Sequence, residues 1–238
     1  MAKIAIIAAL KREVAPLIQG KGWRKRQLPG VEDGYYENDV AVVACAGIGG
    51  VAAGRVAEVI IAECAPGLVV SAGMAGALTP AGKVGHVLFP AIVICATKKL
   101  PVHFALPSES ARVRPAGTLV TSSEVGGTEA KQTLARQYSA EAIDMEAAAV
   151  AEIATAHGIA FLAVKAISDE YNFPLPNLKP FIDRQGQFQT GRFALHIAVR
   201  PAMWRTVSQL ASNSRKASRA LCAALMDLLE ASVAPEVQ

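Results

Sequence analysis

Four segments of this chain are apolar almost without interruption: residues 3–10, 39–46, 68–72 and 161–167. They constrain the fold more than any other feature. A strand wetted on one side alternates apolar and polar residues, so unbroken runs of this length predict strands covered on both faces. Alanine-rich stretches with helical spacing lie between them, at 51–64, 130–138 and 146–158, the last with Gly158 as its C-cap. Shorter strands are expected at 87–96, 117–121 and 142–145. The prolines at 101, 107 and 115 mark 97–115 as loop, and 172–191 reads as a connection. Residues 191–230 read as helix, broken near Pro201 and again near Ser212-Asn213-Ser214, with a frayed tail at 231–238. The pattern predicts an α/β domain with a mixed or mostly parallel central sheet and helices on both faces.

At 238 residues, 52% of them hydrophobic and 18% charged, the chain can bury a full core as one domain without disulfides or metal. The net charge of +4 is modest. Its basic excess sits at 21–26 and 192–219, without interleaved aromatics, so nucleic-acid binding is not expected. Cys45, Cys64, Cys95 and Cys222 are dispersed, with no zinc-type spacing. They read as free thiols in a reducing cytoplasm, and no metal or cofactor is expected. The apolar start is cut short by Lys11, Arg12 and Glu13, so it reads as a first strand and not as a signal peptide. No run reaches the roughly 20 apolar residues of a membrane span.

Chemistry concentrates where apolar runs end. Gly47-Ile48-Gly49-Gly50-Val51-Ala52 fits a dinucleotide-binding pattern, but no acidic residue ends the following strand to take a ribose hydroxyl. The glycines, Gly47 first, are therefore read as permitting close backbone approach to a ligand or a helix. Gly73-Met74-Ala75-Gly76 reads as a tight strand-to-helix turn, whose function is either packing or presenting backbone amides to a ribose or an anion. Glu13 alone reads as a solvated helix-start residue, unless other carboxylates converge on the same sheet edge.

Asp144, Met145 and Glu146 straddle a strand end, where Glu146 either supports a helix N-terminus or accepts two hydrogen bonds from vicinal sugar hydroxyls. Met145 beside it offers an adaptable apolar surface. Ser168-Asp169 reads either as a helix cap or, because an apolar run precedes it, as a carboxyl whose desolvation favours proton donation. Lys165, inside that run, is expected to reach a rim or a partner carboxylate. His86, His103, His157 and His196 are scattered and read as structural or surface residues.

In order and spacing, Glu13 after its strand, Ala46-Gly47-Ile48-Gly49, Gly73-Met74-Ala75-Gly76, Asp144-Met145-Glu146-Ala147 and Ile167-Ser168-Asp169 resemble the purine nucleoside phosphorylase/methylthioadenosine nucleosidase family over about residues 3–172. The resemblance implies one α/β domain around a twisted, barrel-like mixed sheet, no metal or cofactor, and an oligomer, here a homodimer. It implies Asp169 as the acid that protonates the departing purine, and Glu13 as the residue that activates water. Glu146 becomes the ribose anchor, with Met145 under the sugar. Val125 and the backbone of 121–127 lie where the family holds the base, although the loop is shorter here and lacks the usual aromatic.

Ser168, Met74, Gly73, Ala75 and Gly47 complete the substrate site implied by the matching motifs. Phosphorylases of the bacterial branch carry an arginine and a serine where this chain has Ser71 and Met74, which favours water over phosphate as nucleophile. The last third, with Gly191-Arg192-Phe193, Val199-Arg200-Pro201 and Trp204, resembles the hopanoid-associated branch, whose members act on adenosylhopane. That implies an adenine nucleoside with a large apolar, lipid-like 5′ substituent. The alternating apolar and basic residues of this stretch fit a greasy channel, a peripheral membrane contact or an ordinary core-closing helix. A phosphate-dependent phosphorylase, a methylthioadenosine/S-adenosylhomocysteine nucleosidase and a nucleoside-binding accessory protein stay open at this point.

Overall fold

The computed structural model describes residues 2–95, 101–103, 115–123, 128–176, 179–183 and 186–233. Strands β1 (Ile4–Ala8), β4 (Ala41–Cys45), β5 (Leu68–Ala77) and β11 (Ala160–Asp169) run parallel side by side in the order β4-β1-β5-β11. Alternate residues of β1 pack to opposite sides. Ala5 and Ile7 join a core with helices α2 (Gly50–Cys64) and α4 (Ala147–Ala156), while Ile4, Ile6 and Ala8 join one with α1 (Lys11–Ile18) and α6 (Pro201–Val233). Both faces of the sheet are therefore dry, which is why these strands carry no polar alternation.

The sheet divides at β5. Along one edge β11 accompanies it from Leu68 to Gly76. Along the other, β1 stops at Ala8, opposite Ala72, and β10 (Ala142–Asp144) takes over, antiparallel, opposite Gly76 and Ala77. The C-terminal ends of β1 and β10 thus point toward each other across the middle of β5, and the chain leaves the sheet there into α1 and α4. Beyond β10, the strands β9 (Thr118–Thr121), β7 (Ile92–Cys95) and β8 (Pro101–His103) extend the sheet. At the opposite end, β2 (Arg24–Leu28) and β3 (Val31–Glu37) form a hairpin against β4.

Several expectations are corrected. Residues 73–76 are not a strand-to-helix turn: β5 continues through them, because β10 and β11 supply partners on both edges. Ser168 and Asp169 cap no helix but end β11, after an irregularity between Ile167 and Asp169. Pro90, which cannot donate to a ladder, separates β6 (Val87–Leu88) from β7 where one strand was expected. The segment expected as loop contains β8, while residues 96–100 and 104–114 lie outside the described residues. The β2–β3 hairpin was not foreseen, since its outer strand is mostly charged and exposed, as befits a sheet edge.

The expected break at Ser212-Asn213-Ser214 does not occur; the flanking apolar residues pack on α1 and the sheet, overriding weak helix propensity. The break before Pro201 does, separating α5 (Thr190–Ala198) from α6. Helix α4 ends as expected, with Gly158 at φ +66° just beyond His157. Of the tail, 231–233 are helical and 234–238 lie outside the described residues. Among the described residues, no helix is long and apolar enough to cross a membrane.

Candidate active site

Where β1 and β10 face each other, four carboxylates and two lysines collect. Asp144, ending β10, is fully engaged. Its Oδ2 accepts from Lys165 Nζ at 2.8 Å and from the Ala147 amide at 2.9 Å, and its Oδ1 accepts from Thr121 Oγ1 at 2.6 Å. The Ala148 amide donates to Thr121 Oγ1 at 3.0 Å. Asp144 and Thr121 thereby satisfy the free amides that open α4, the role of an N-cap.

Glu146 is released from that duty, although it stands at the N-cap position. Its carboxylate instead accepts from the Gly49 amide at 2.8 Å and the Met145 amide at 3.3 Å. The loop 47–49, with Gly47 and Gly49 at φ +94° and +99°, turns toward this carboxylate and not toward a dinucleotide.

Lys165 is only 1% exposed and also donates to Ser71 Oγ at 3.0 Å. It reaches a partner carboxylate rather than a rim. Burial on its own would lower its pKa, but the charges of Asp144 and Glu146 outweigh that and hold it above its ordinary value.

Glu13 is buried, not solvated as it reads alone. It sits in the first turn of α1, where the Leu10 amide donates to its Oε2 at 3.3 Å. Burial raises its pKa, opposed by the Leu10 hydrogen bond and the Lys165 charge. Burial also pushes Glu146 up to about 7, helped by the negative charge of Asp144. Lys165 neutralises Asp144 directly, so the two glutamates are the surplus acids of the cluster, and both are shifted upward.

Asp169 lies across the cavity, buried at the end of β11. Lys131 Nζ of α3 (Thr128–Tyr138) sits 2.5 Å from its Oδ2, and Ser168 Oγ donates to its Oδ1 at 2.9 Å. Its surroundings are thus not the bare apolar wall expected from the preceding run. Lys131, 2% exposed, is the functional candidate that sequence reasoning missed. It belongs to an otherwise polar helix, TEAKQTLARQY, and nothing local separates it from the solvated positions around it.

Two glycines of β5 make the room. A Cβ on Gly73 would stand 3.3 Å from Glu13 Oε2, and one on Gly76 would stand 2.9 Å from Asp169 Oδ2 and 3.3 Å from Lys131 Nζ. The carboxylates lie directly over backbone that only glycine leaves uncovered.

The four carboxylates, Lys131 and Gly76 line one cavity of about 740 Å³, and Lys165 lies behind it. Glu13, Met74, Ala75, Met145, Glu146, Ser168 and Asp169 all border it. Gly47 and Gly73 lie next to bordering residues without lining it, and Val125 lies outside the described residues. The buried acids form the floor, and exposed residues of α1 and α6 (Arg12, Gln19, Arg215 and Arg219 among them) form the mouth. Between them runs an apolar wall of Leu175, Phe188, Phe193, Val207 and Leu210. Phe188 and Phe193 have ring centroids 5.4 Å apart, and the Arg12 guanidinium stands 5.3 Å from the Phe188 centroid. Of the histidines, His157 pairs with Glu58 at 2.8 Å and His196 packs on Phe181; neither touches the cavity.

Comparison with known proteins agrees with this architecture. Among solved structures the chain is similar to Arabidopsis thaliana 5′-methylthioadenosine nucleosidase, at 18% identity and TM-score 0.73 over 99% of this chain and 98% of that one. It is also similar to Neisseria meningitidis 5′-methylthioadenosine/S-adenosylhomocysteine nucleosidase in complex with methylthio-immucillin-A (19%, TM-score 0.71, 98% and 100%). A third similar structure is Helicobacter pylori futalosine hydrolase (17%, TM-score 0.71, 96% and 97%). At such identities the likeness establishes the fold, a mixed α/β domain of nucleosidase type. A model of the phosphorylase superfamily matches residues 3–121 and 96–197, most of the chain. By that match, the chain belongs to the phosphorylase superfamily.

Proposed function

We propose that the protein cleaves the N-glycosidic bond of a purine nucleoside, releasing adenine, with water as nucleophile. The observation that carries this reading is the meeting of Glu13, Glu146 and Asp169, from three distant parts of the chain, around one cavity. Breaking such a bond builds positive charge on the sugar and negative charge on the base. The reaction therefore needs a proton at the base, carboxylates near the sugar and a nucleophile on its open face. In this reading Asp169 delivers the proton to the purine, Glu146 holds the ribose hydroxyls and Met145 packs under the ring. Glu13 takes the proton of the attacking water, a task for which a raised pKa suits a general base at neutral pH. Lys131 is a positioning residue that fixes the Asp169 carboxylate through their ion pair.

Hydrolysis is favoured over phosphorolysis because both buried lysines are engaged with carboxylates, Lys165 with Asp144 and Lys131 with Asp169. One observation supports phosphate as the alternative nucleophile: Arg12, Arg215 and Arg219 border the same cavity. The apolar wall of Phe188, Phe193, Val207 and Leu210 supports a hydrophobic 5′ substituent, with adenosylhopane as the extreme case. Names of similar structures lend support, since they include methylthioadenosine nucleosidases and a futalosine hydrolase. Adenine release from a 5′-alkylthioadenosine, followed with and without inorganic phosphate, tests the reading. Equal rates and free ribosyl product are expected; strict phosphate dependence would transfer the reaction to a phosphorylase.

A further inference from the structure

Between Asp183 and Asp227 the chain contains no acidic residue but seven lysines and arginines, more than its whole net charge of +4. The rest of the chain is therefore net negative, and the basic excess is gathered on α5 and the first half of α6. The same segment carries most of the exposed large hydrophobic residues among those described, Val51 being the exception. Leu195 is 71% exposed, Val199 69% and Trp204 54%. Scattered apolar residues on a surface need no explanation, but these three are connected. Leu195 on α5 and Val199 at its C-cap are four residues apart, and the Trp204 indole donates to the Ile197 carbonyl at 2.8 Å, which fastens its ring to the end of α5.

Nor are they the core face of that helix. The inward face of α5 is Phe193, His196 and Ile197, packed on Phe181 and Phe188. Helix α5 is thus apolar on two sides, and arginines 192, 200 and 205, all exposed, flank its outer one. A tryptophan and aliphatic residues surrounded by arginine make up the composition of a helix lying in a lipid interface.

We propose that the α5–α6 corner docks on an anionic lipid bilayer, with Leu195, Val199 and Trp204 entering the headgroup region and arginines 192, 200 and 205 on lipid phosphates. Charge selects this occupant over a second copy of the chain. A twofold interface through this corner would set the same arginines against each other with no acidic residue in the segment to relieve them. An anionic leaflet is complementary to all of them. The docking does not depend on the proposed chemistry. It would nevertheless hold the cavity, whose apolar wall comes partly from the same two helices, close to lipid.

The test uses the full chain with Trp23→Phe, which leaves Trp204 as the sole indole, and vesicles of phosphatidylcholine with or without half phosphatidylglycerol. The expected result is co-sedimentation with the anionic vesicles at low salt, with a blue shift of Trp204 and quenching by brominated lipid. Release at 0.5 M salt and at least tenfold weaker binding to pure phosphatidylcholine are also expected. Arg200→Glu/Arg205→Glu and Leu195→Ser/Val199→Ser should each weaken binding at least tenfold while leaving adenine release from a water-soluble nucleoside unchanged. Absence of binding at low salt, or binding that ignores both the lipid charge and both double variants, overturns the proposal. So does a stable dimer that Leu195→Ser/Val199→Ser dissociates, with Trp204 already shielded in the absence of lipid.

Discussion

A carboxylate's role at this site is decided by what its two oxygens already hold. Asp144 has both committed, to Lys165, Thr121 and a helix amide, so it serves the structure. Asp169 holds one side-chain donor on each oxygen, Lys131 on Oδ2 and Ser168 on Oδ1, takes no helix amide, and borders the cavity. Asp169→Asn preserves the shape and removes the group proposed to deliver the proton. We expect turnover to fall about 10²–10⁴-fold with Tm nearly unchanged, as measured by adenine release and thermal melting. Full activity would remove Asp169 from the chemistry.

Glu146 offers a second test through pH. Its folded pKa of about 7 lies above the ordinary glutamate value, and that of Glu13 is shifted the same way. As pH rises from about 4.5 to 7, the unfolded chain releases the Glu146 proton before the folded chain does, so folding stability declines across that window. Glu146→Gln cannot ionise and should flatten the decline, by roughly 5 °C in the change of Tm between pH 5 and 7.5. A variant whose profile parallels the parent would place the proton elsewhere.

At the scale of elements, β5 is the organising strand, and its glycines leave room for the acids although neither can do chemistry. Gly76→Ala adds a methyl 2.9 Å from Asp169 Oδ2 and 3.3 Å from Lys131 Nζ. That contact must push the pair aside, and an acid displaced by a fraction of an ångström loses alignment with its target. We expect a kcat loss of about 10²-fold with the circular dichroism spectrum unchanged; a fully active variant would show that the pair yields without consequence.

The same strand marks what the sequence disclosed. The buried runs of β1, β4, β5 and β11 were legible because their faces are dry on both sides, and so was Asp169 at the end of β11. The extent of β5 was not, since Gly73 and Gly76 mimic a turn when the side chains above them are unseen. The β2 strand was hidden for the opposite reason, because Arg24, Lys25 and Arg26 carry no apolar signal. Lys131 and Phe188 reach the cavity only through tertiary packing, from a polar helix and from a stretch read as connection.

At the scale of the molecule, two chemistries share one hollow, a polar floor under the sheet edge and an apolar wall raised by the later helices. The wall makes the length of the substrate a variable that can be titrated. In a series of 5′-alkylthioadenosines, each added methylene should gain up to ~0.8 kcal/mol, lowering KM about three- to fourfold until the tail outgrows the cavity. Because the tail stays remote from the breaking bond, kcat should change little. A KM that is flat or rises from methyl to butyl would deny the wall its role.

The head-on approach of β1 and β10 along one edge of β5 has a temporal side. Ala8 and Asp144 are more than a hundred residues apart, so nothing like this pocket exists in any contiguous portion of the polypeptide. Until the later strand has docked, Glu13 and Glu146 remain hydrated, ordinary acids. The cost of drying them falls on the step that brings these elements together, and a chain short of it lacks the pocket.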